Sequence, residues 1–227
     1  MLSERLITVK DCVENANTVL DVGTDHGYVP ICLIEEKKAD KVIAADINEG
    51  PLKNAEKNVR LNGLTDKIEL RLGGGLTPVK KGEADTVIIA GMGGIMISEI
   101  IKESFEKAKE VKSFILQPMN SQEDLRRYLI LNGFKITEEK IAKENEKIYN
   151  ILKVINKKEE PYEKEVYYYL GNPKYFDLKN DLTKLYVEKR RKQFKAIIDN
   201  LSSAKKDVKE EVEFYKKLLT DTEDFYA

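Results

Sequence analysis

Val19-Leu20-Asp21-Val22-Gly23-Thr24-Asp25-His26-Gly27-Tyr28 is an apolar, β-branched run that reaches an acid, passes two glycines and opens into a helical pattern. A strand, a short loop and a helix in that order form the setting of a nucleotide-binding turn. Gly23 and Gly27 let the backbone approach a ligand closely, and the loop amides are expected to offer it hydrogen-bond donors. The spacing departs from G-x-G-x-x-G, because Thr24, Asp25 and His26 fill the middle. Asp21 and Asp25 also put negative charge where a pyrophosphate would sit, so Coulomb repulsion opposes NAD or ATP. A cationic ligand is expected instead. The competing reading is a purely structural tight turn capped by Asp25.

Working outward, β-branched runs recur at residues 41–46, 68–72, 86–90, 113–116 and 148–155, in addition to 18–21, and helical patterns separate most of them. This alternation predicts an α/β, Rossmann-like fold with a mainly parallel sheet, helices on both faces, and a ligand crevice at the carboxyl ends of the strands. Asp46 ends the second run twenty-five residues after Asp21, close to the spacing at which an acid accepts hydrogen bonds from ribose hydroxyls. Capping the next helix is its alternative role. Acids at both places suit S-adenosyl-L-methionine, whose methionine end carries an ammonium and a sulfonium, and Ile47 follows Asp46 at the same edge. After the third run, Gly73 and Gly74 leave room for a flat adenine ring without a side chain to read it, so backbone groups or a frame of Arg71 and Leu72 must serve.

The fourth run enters Ala90-Gly91-Met92-Gly93-Gly94, where paired glycines suggest a close-packed ligand or substrate wall, with tight helix packing as the competing reading. The fifth ends in Leu116-Gln117-Pro118-Met119-Asn120, and Asn120 has the alternative role of capping a helix over 122–131. His26 is the only histidine of the chain, and it has both a structural role and a contact with cofactor or target base open to it.

Composition bounds the rest. The 227 residues suffice for one full domain plus an appendage. Lys and Arg number 39 against 40 acids, so any nucleic-acid argument must come from local charge rather than net charge. Cys12 and Cys32 lack metal-ligand spacing and are expected as reduced, buried thiols on helices, with no metal site. The first ten residues contain no apolar secretory core, and no run of eighteen apolar residues occurs, which predicts a cytoplasmic protein without a membrane span.

Residues 156–162 break the apolar pattern, placing a boundary that gives domains 1–158 and 159–227. Beyond Pro173 no Gly or Pro occurs. One apolar stripe runs through Leu178, Leu182, Leu185, Phe194, Ile197, Ile198 and Leu201, and a second through Val208, Val212, Tyr215 and Leu219. Together they predict a coiled-coil helical hairpin with its turn near Asn200, Ser202 and Ser203, and with Ser203 as the second helix's N-cap. The same stripe serves equally as a dimer seam, so a monomer or weak homodimer is expected.

Asp21-Val-Gly-Thr-Asp-His-Gly27, Ala90-Gly-Met-Gly-Gly94 and Leu116-Gln-Pro-Met119, in that order, resemble the TrmK family of bacterial tRNA (adenine-22-N1)-methyltransferases, and the resemblance covers essentially the whole chain. It implies a class I methyltransferase with a seven-stranded sheet and a C-terminal coiled coil. It also implies methyl transfer from S-adenosyl-L-methionine to N1 of an adenine in the tRNA D-arm. Gly74 departs from the acid or amide that related methyltransferases place after the third strand. Adenine N1 has a free lone pair at neutral pH, so attack on a sulfonium methyl needs alignment more than a strong base. Asp25 is the candidate for orienting the N6 amino group or stabilising positive charge on the base, with cofactor binding or loop capping as its competing roles. Met92, Gly93, Gly94, Gln117, Pro118 and Asn120 are expected around the cofactor and target base. Lys189, Arg190 and Arg191, with Lys192, Lys195, Lys205 and Lys206, form a basic stretch suited to tRNA phosphates or simply to a solvated helix face. A class I methyltransferase acting on ribosomal RNA or a small molecule, and a non-catalytic cofactor-sensing RNA-binding module, remain open.

Overall fold

The computed structural model describes residues 2–203 and 208–226. In chain order the first part comprises α1 (Glu4–Asp11), β1 (Ala16–Val22), α2 (Tyr28–Glu35), β2 (Ala39–Asp46), α3 (Glu49–Leu61), β3 (Ile68–Leu72) and β4 (Thr86–Met92). It continues with α4 (Gly94–Glu103), α5 (Phe105–Ala108), β5 (Ser113–Pro118), α6 (Gln122–Leu131), β6 (Lys135–Glu144) and β7 (Lys147–Ile155). The strands form one seven-stranded sheet in the order β3-β2-β1-β4-β5-β7-β6. Neighbours from β3 to β5 pair in parallel, whereas β7 runs antiparallel to both β5 and β6. The strand order reverses beside β1, where β2 lies on one flank and β4 on the other. Crossovers leave the sheet in opposite directions at such a point, opening a crevice at the carboxyl ends of the strands.

Central strands are apolar on both faces, as expected of parallel strands covered by helices. Val19, Leu20, Val42, Ile43, Val87, Ile89, Phe114 and Leu116 are all buried. The seventh strand implied by the family resemblance is β6, which the β-branched runs do not reveal. Its sequence KITEEKIAKE carries six charges, one of which is paired inside the protein. The Arg126 guanidinium of α6 donates from Nε and Nη2 to the Glu139 carboxylate at 3.1 and 2.7 Å, with both side chains fully buried. Asn150 of β7 adds a weaker bond to the same carboxylate at 3.4 Å.

Two compact units divide between Glu159 and Glu160. The second contains α7 (Val166–Leu170), a 3-10 turn (Pro173–Tyr175), α8 (Asp181–Ser202), α9 (Lys209–Asp221) and a further 3-10 turn (Glu223–Tyr226). Asn180 starts α8 by accepting the Leu182 amide at 2.8 Å, the role expected of an N-cap. The buried positions of α8 are Thr183, Tyr186, Val187 and Phe194, whereas Leu185 is 41% exposed. Phe194 and Tyr215, one from each expected stripe, meet with ring centroids 6.0 Å apart, while Leu185 falls outside the packed face and Tyr169 and Phe214, outside both stripes, add a second ring pair at 5.9 Å. Ser203 ends α8 rather than capping α9: its hydroxyl donates to the Asp199 carbonyl at 2.9 Å, and Val208 precedes the first turn of α9. Among the described residues, no helix is long and apolar enough to cross a membrane.

Candidate cofactor cleft and active site

Asp21 lies one residue before the end of β1, in register with Ala44 of β2 and Ile88 of β4. Its carboxyl is buried, and among the described residues no cation pairs with it. Burial pushes its pKa up to about 6; the Thr24 hydroxyl partly offsets the rise and the charge of Asp46 adds to it. Thr24 is 2% exposed, and its hydroxyl, although near Asp21, completes no well-formed hydrogen bond. Buried polar groups without partners are uncommon, so this pair fits a ligand that brings positive charge and hydrogen-bonding groups.

Two of the loop amides expected to face a ligand are spent within the fold. Gly23 N–H and Thr24 N–H both donate to the Ala45 carbonyl, at 2.8 and 2.9 Å, and so bind the loop to β2 rather than present donors to a ligand. Gly27 (φ +70°) has a structural reason of its own: a Cβ there would lie 3.2 Å from the Ala55 Cβ of α3. Gly23 (φ +77°) is the glycine that faces the cleft, where a Cβ would meet the Met92 methyl at 2.6 Å.

Two adjoining cavities share Val22, Gly23, Ala90 and Gly91. The larger, of about 630 Å³, runs past Asp46, Ile47, Gly73 and Gly74 to Met92. Asp46 Oδ1 accepts the Asn48 amide at 2.7 Å, which holds the carboxylate in place and leaves its second oxygen for a ligand. Ile47 is 71% exposed and supplies an apolar wall, its Cδ1 3.6 Å from where a Gly74 Cβ would sit. Arg71 does not frame this space. Its guanidinium is spent on Glu69, on both oxygens of Glu83 and on the Pro78 carbonyl, all within 2.9 Å, so it braces the turn after β3.

The smaller cavity, of about 410 Å³, is bordered by Asp21, Thr24, Asp25 and His26, and also by Arg5 and Glu144. Asp25 is well exposed; His26 Nε2 lies 3.4 Å from its carboxylate, and the imidazole stacks on Tyr28 with centroids 5.4 Å apart. Cys12 and Cys32 are free thiols outside both cavities; Cys12 is buried and burial pushes it up to about 11, whereas Cys32 is only partly buried.

β4 ends in an irregularity between Ala90 and Met92, with Gly91 at φ +80°. Such bulges re-aim the following side chain, here Met92, toward the cleft. Gln117 and Pro118, expected beside the substrate, are buried instead. Gln117 Oε1 accepts Arg5 Nη1 at 2.6 Å and the Gly91 amide at 3.1 Å, while its Nε2 donates to the Pro118 carbonyl, so the side chain is a brace with little left to offer a ligand. Gly94 is likewise structural. A Cβ there would lie 2.2 Å from the Ser121 carbonyl oxygen, so the start of α4 packs directly on the 120–121 backbone. Gly93 is covered by the Asn120 carboxamide at 2.9 Å from its Cβ position, and Asn120 does not cap α6 with its side chain.

In the second unit, Lys189 and Lys192 are exposed. Arg190 lies over the Phe194 ring at 5.4 Å and bonds Gln193, and Arg191 stands 3.8 Å from Glu223. Lys205 and Lys206 lie outside the described residues.

Residues 2–152 match the family model of a methyltransferase domain. The tRNA (adenine(22)-N(1))-methyltransferase of Bacillus subtilis is 37% identical over 151 residues, a stretch covering 66% of this chain and 63% of that protein. A Streptococcus pneumoniae protein provisionally assigned as a tRNA (m1A22) methyltransferase, solved with S-adenosyl-L-methionine, is 32% identical at a TM-score of 0.85, with all of both chains covered. The crystal structure of the B. subtilis m1A22 tRNA methyltransferase TrmK covers all of this chain and 99% of its own, at 27% identity and a TM-score of 0.85. The chain belongs to the TrmK family.

In this TrmK-family chain the motifs locate the acids and the floor of the cleft but omit its walls. Met96, Glu99 and Ile100 reach the larger cavity from α4, and Arg5 and Glu144 reach the smaller one from α1 and β6. The helical period of α4 places 96, 99 and 100 on one face, a signal present in the sequence. Nothing local to Arg5 or Glu144 foretells a meeting across 139 residues.

Proposed function

We propose that this TrmK-family protein transfers a methyl group from S-adenosyl-L-methionine to N1 of adenine 22 in the D-arm of tRNA. The observation that carries the reading is the buried Asp21, which among the described residues has no paired cation, beside Asp46 at the reversal point of the sheet: an acidic cleft that opposes phosphates and favours a cation. When bound, S-adenosyl-L-methionine supplies an electrophilic methyl on its sulfonium. Asp21 and Thr24 hold the ammonium end. Asp46 accepts the ribose hydroxyls, and Ile47, Gly73 and Gly74 form the slot for the adenine ring. Gly91 and Met92 bound the reacting end. Because N1 lies on the Watson–Crick edge, the target adenine must leave its stack and enter beside Asp25, His26 and Gly93. Asp25 orients its N6 amino group or stabilises the positive charge that develops as N1 is alkylated. Asn120 shapes the opposite side of the mouth, and Lys189 and Arg191 meet phosphates of the tRNA. The protein acts in the cytoplasm as a monomer or weak homodimer.

Methyl-labelled cofactor incubated with unmodified tRNA should yield labelled 1-methyladenosine at position 22, and a tRNA with guanine at that position should take up none. Label in small molecules only, or cofactor binding without transfer to tRNA, defeats the reading. Asp25→Asn should lower turnover at least tenfold while changing cofactor affinity less than threefold. Unaltered turnover would confine Asp25 to shaping the loop.

A further inference from the structure

The proposed cofactor is not only a cation. Its methionine end also bears a carboxylate, which Asp21, Asp25 and Asp46 repel, so a cleft that accepts the whole molecule needs a positive group close to Asp21. Among the described residues, Arg5 is the only Lys or Arg bordering either cavity, and it borders the smaller one together with Asp21 and Thr24. Resting on the function proposed above, we infer that Arg5 binds the cofactor's carboxylate, so that α1 and the end of β1 read the amino-acid zwitterion as a pair.

The guanidinium is built for this. Its Nε donates to Glu144 Oε2 at 3.2 Å and its Nη1 to Gln117 Oε1 at 2.6 Å, while the Tyr149 ring lies 5.5 Å beneath its central carbon. The side chain is 19% exposed. Nη2 donates to no acceptor among the described residues. A planar guanidinium held on three sides with one amino group open is pre-oriented for a carboxylate and loses little side-chain freedom on binding it. Its position suits the task as well, since Nη1 lies 3.9 Å from the Cβ position of Gly91, on the rim shared by the two cavities. Glu144 takes up part of the Arg5 charge, but as a neighbour of Nε it also fixes the plane of the fork. The same bonds make Arg5 a brace of α1 against β5 and β6, and a brace alone would not distinguish one cofactor analogue from another.

That difference supplies the test. Calorimetry on the full chain compares S-adenosyl-L-methionine with its decarboxylated analogue, which keeps the sulfonium and the amine. The wild-type protein should prefer the intact cofactor at least tenfold. Arg5→Gln should weaken binding of the intact cofactor at least tenfold, change binding of the analogue less than twofold and so abolish the preference, and Arg5→Lys should restore part of it. Equal weakening of both ligands by Arg5→Gln overturns the inference, as does a wild-type protein with no preference, a result that stands even if Arg5→Gln does not fold. Absence of any binding of the intact cofactor to the wild-type protein would instead strike the proposed function.

Discussion

Glu139 and Asp21 are both buried carboxylates of the sheet unit, and the chain houses them in opposite ways. Glu139 sits between α6, β6 and β7, where burial pushes its carboxyl up while the charge and hydrogen bonds of Arg126, helped by Asn150, pull it back down. Its needs are met from within. Asp21 is pushed up to about 6 by burial, with the Thr24 hydroxyl nearby, a second acid at Asp46 adding to the rise and, among the described residues, no cation paired with it. The contrast separates a charge that completes the fold from one that waits for a ligand: the first is paired inside a closed core, and the second borders a cavity.

The largest expected effect comes from breaking the paired site. Arg126→Met strands Glu139 in the core and should lower stability by about 3–5 kcal/mol, read from urea denaturation. Removing both charges, with Arg126→Met and Glu139→Leu together, should recover most of that loss. A single-variant loss below about 1 kcal/mol would mean that the two side chains do not act as a unit.

Asp21 should respond with the opposite sign. A carboxyl whose pKa rises from 3.8 to about 6 on folding binds its proton more tightly in the native state. Stability therefore falls as pH rises from about 4 to about 6, and the native state carries a penalty on the order of 2–3 kcal/mol above that window. Asp21→Asn should relieve much of the penalty at pH 7.5 and yet weaken cofactor binding tenfold or more. Wild-type affinity for the cofactor should drop as pH is lowered through 6, and the Asn variant should lose that dependence. A variant that is both less stable and equally tight in binding would reverse the assignment of Asp21 as a ligand-facing acid.

The same contrast explains what the sequence discloses. Asp21, Gly23 and Asp46 could be placed at the cleft from the sequence because each stands at or just beyond the end of a β-branched run, whereas the paired glycines 93 and 94 read equally as a ligand wall or as packing, and Gly94 packs on the 120–121 backbone. Helix α6 was legible at both ends, at Gln122 and Leu131. β6 was not, because a charged residue such as Glu139 reads as solvent-facing until its partner Arg126 is brought beside it by the fold. Gln117 misled for a related reason: an amide at a strand's carboxyl end looks like a ligand group, but Arg5, 112 residues away, claims it. In the tail, the stripes located the Phe194–Tyr215 contact but placed Leu185 on a packed face that it does not join, and they passed over Tyr169 and Phe214.

Among the glycines of the cleft, Gly94 belongs with Glu139 as part of the closed structure. Gly94→Ala would set a methyl 2.2 Å from the Ser121 carbonyl oxygen, which is rigid main chain, and the displacement should cost about 1–3 kcal/mol. Thermal denaturation reads it directly, and an unchanged melting temperature would show that the 120–121 turn yields freely.

Gly74 belongs with Asp21, on the open side. An added Cβ meets only Ile47 Cδ1 at 3.6 Å, an ordinary contact, and the backbone there is not in the left-handed region. Gly74→Ala should therefore change stability by less than about 0.5 kcal/mol, so any larger effect must appear in binding. If the adenine ring lies flat against this backbone, the methyl should lift it and weaken cofactor affinity severalfold while Asp21 and Arg5 still hold the methionine end. Gly74→Asn separates ring contact from side-chain reading: a carboxamide that reaches the adenine amino group should offset the lost contact by about 1 kcal/mol relative to Ala. Equal affinity for the Ala and Asn variants would mean that the ring is held by Ile47 and the main chain alone, which is the arrangement a glycine at this position implies.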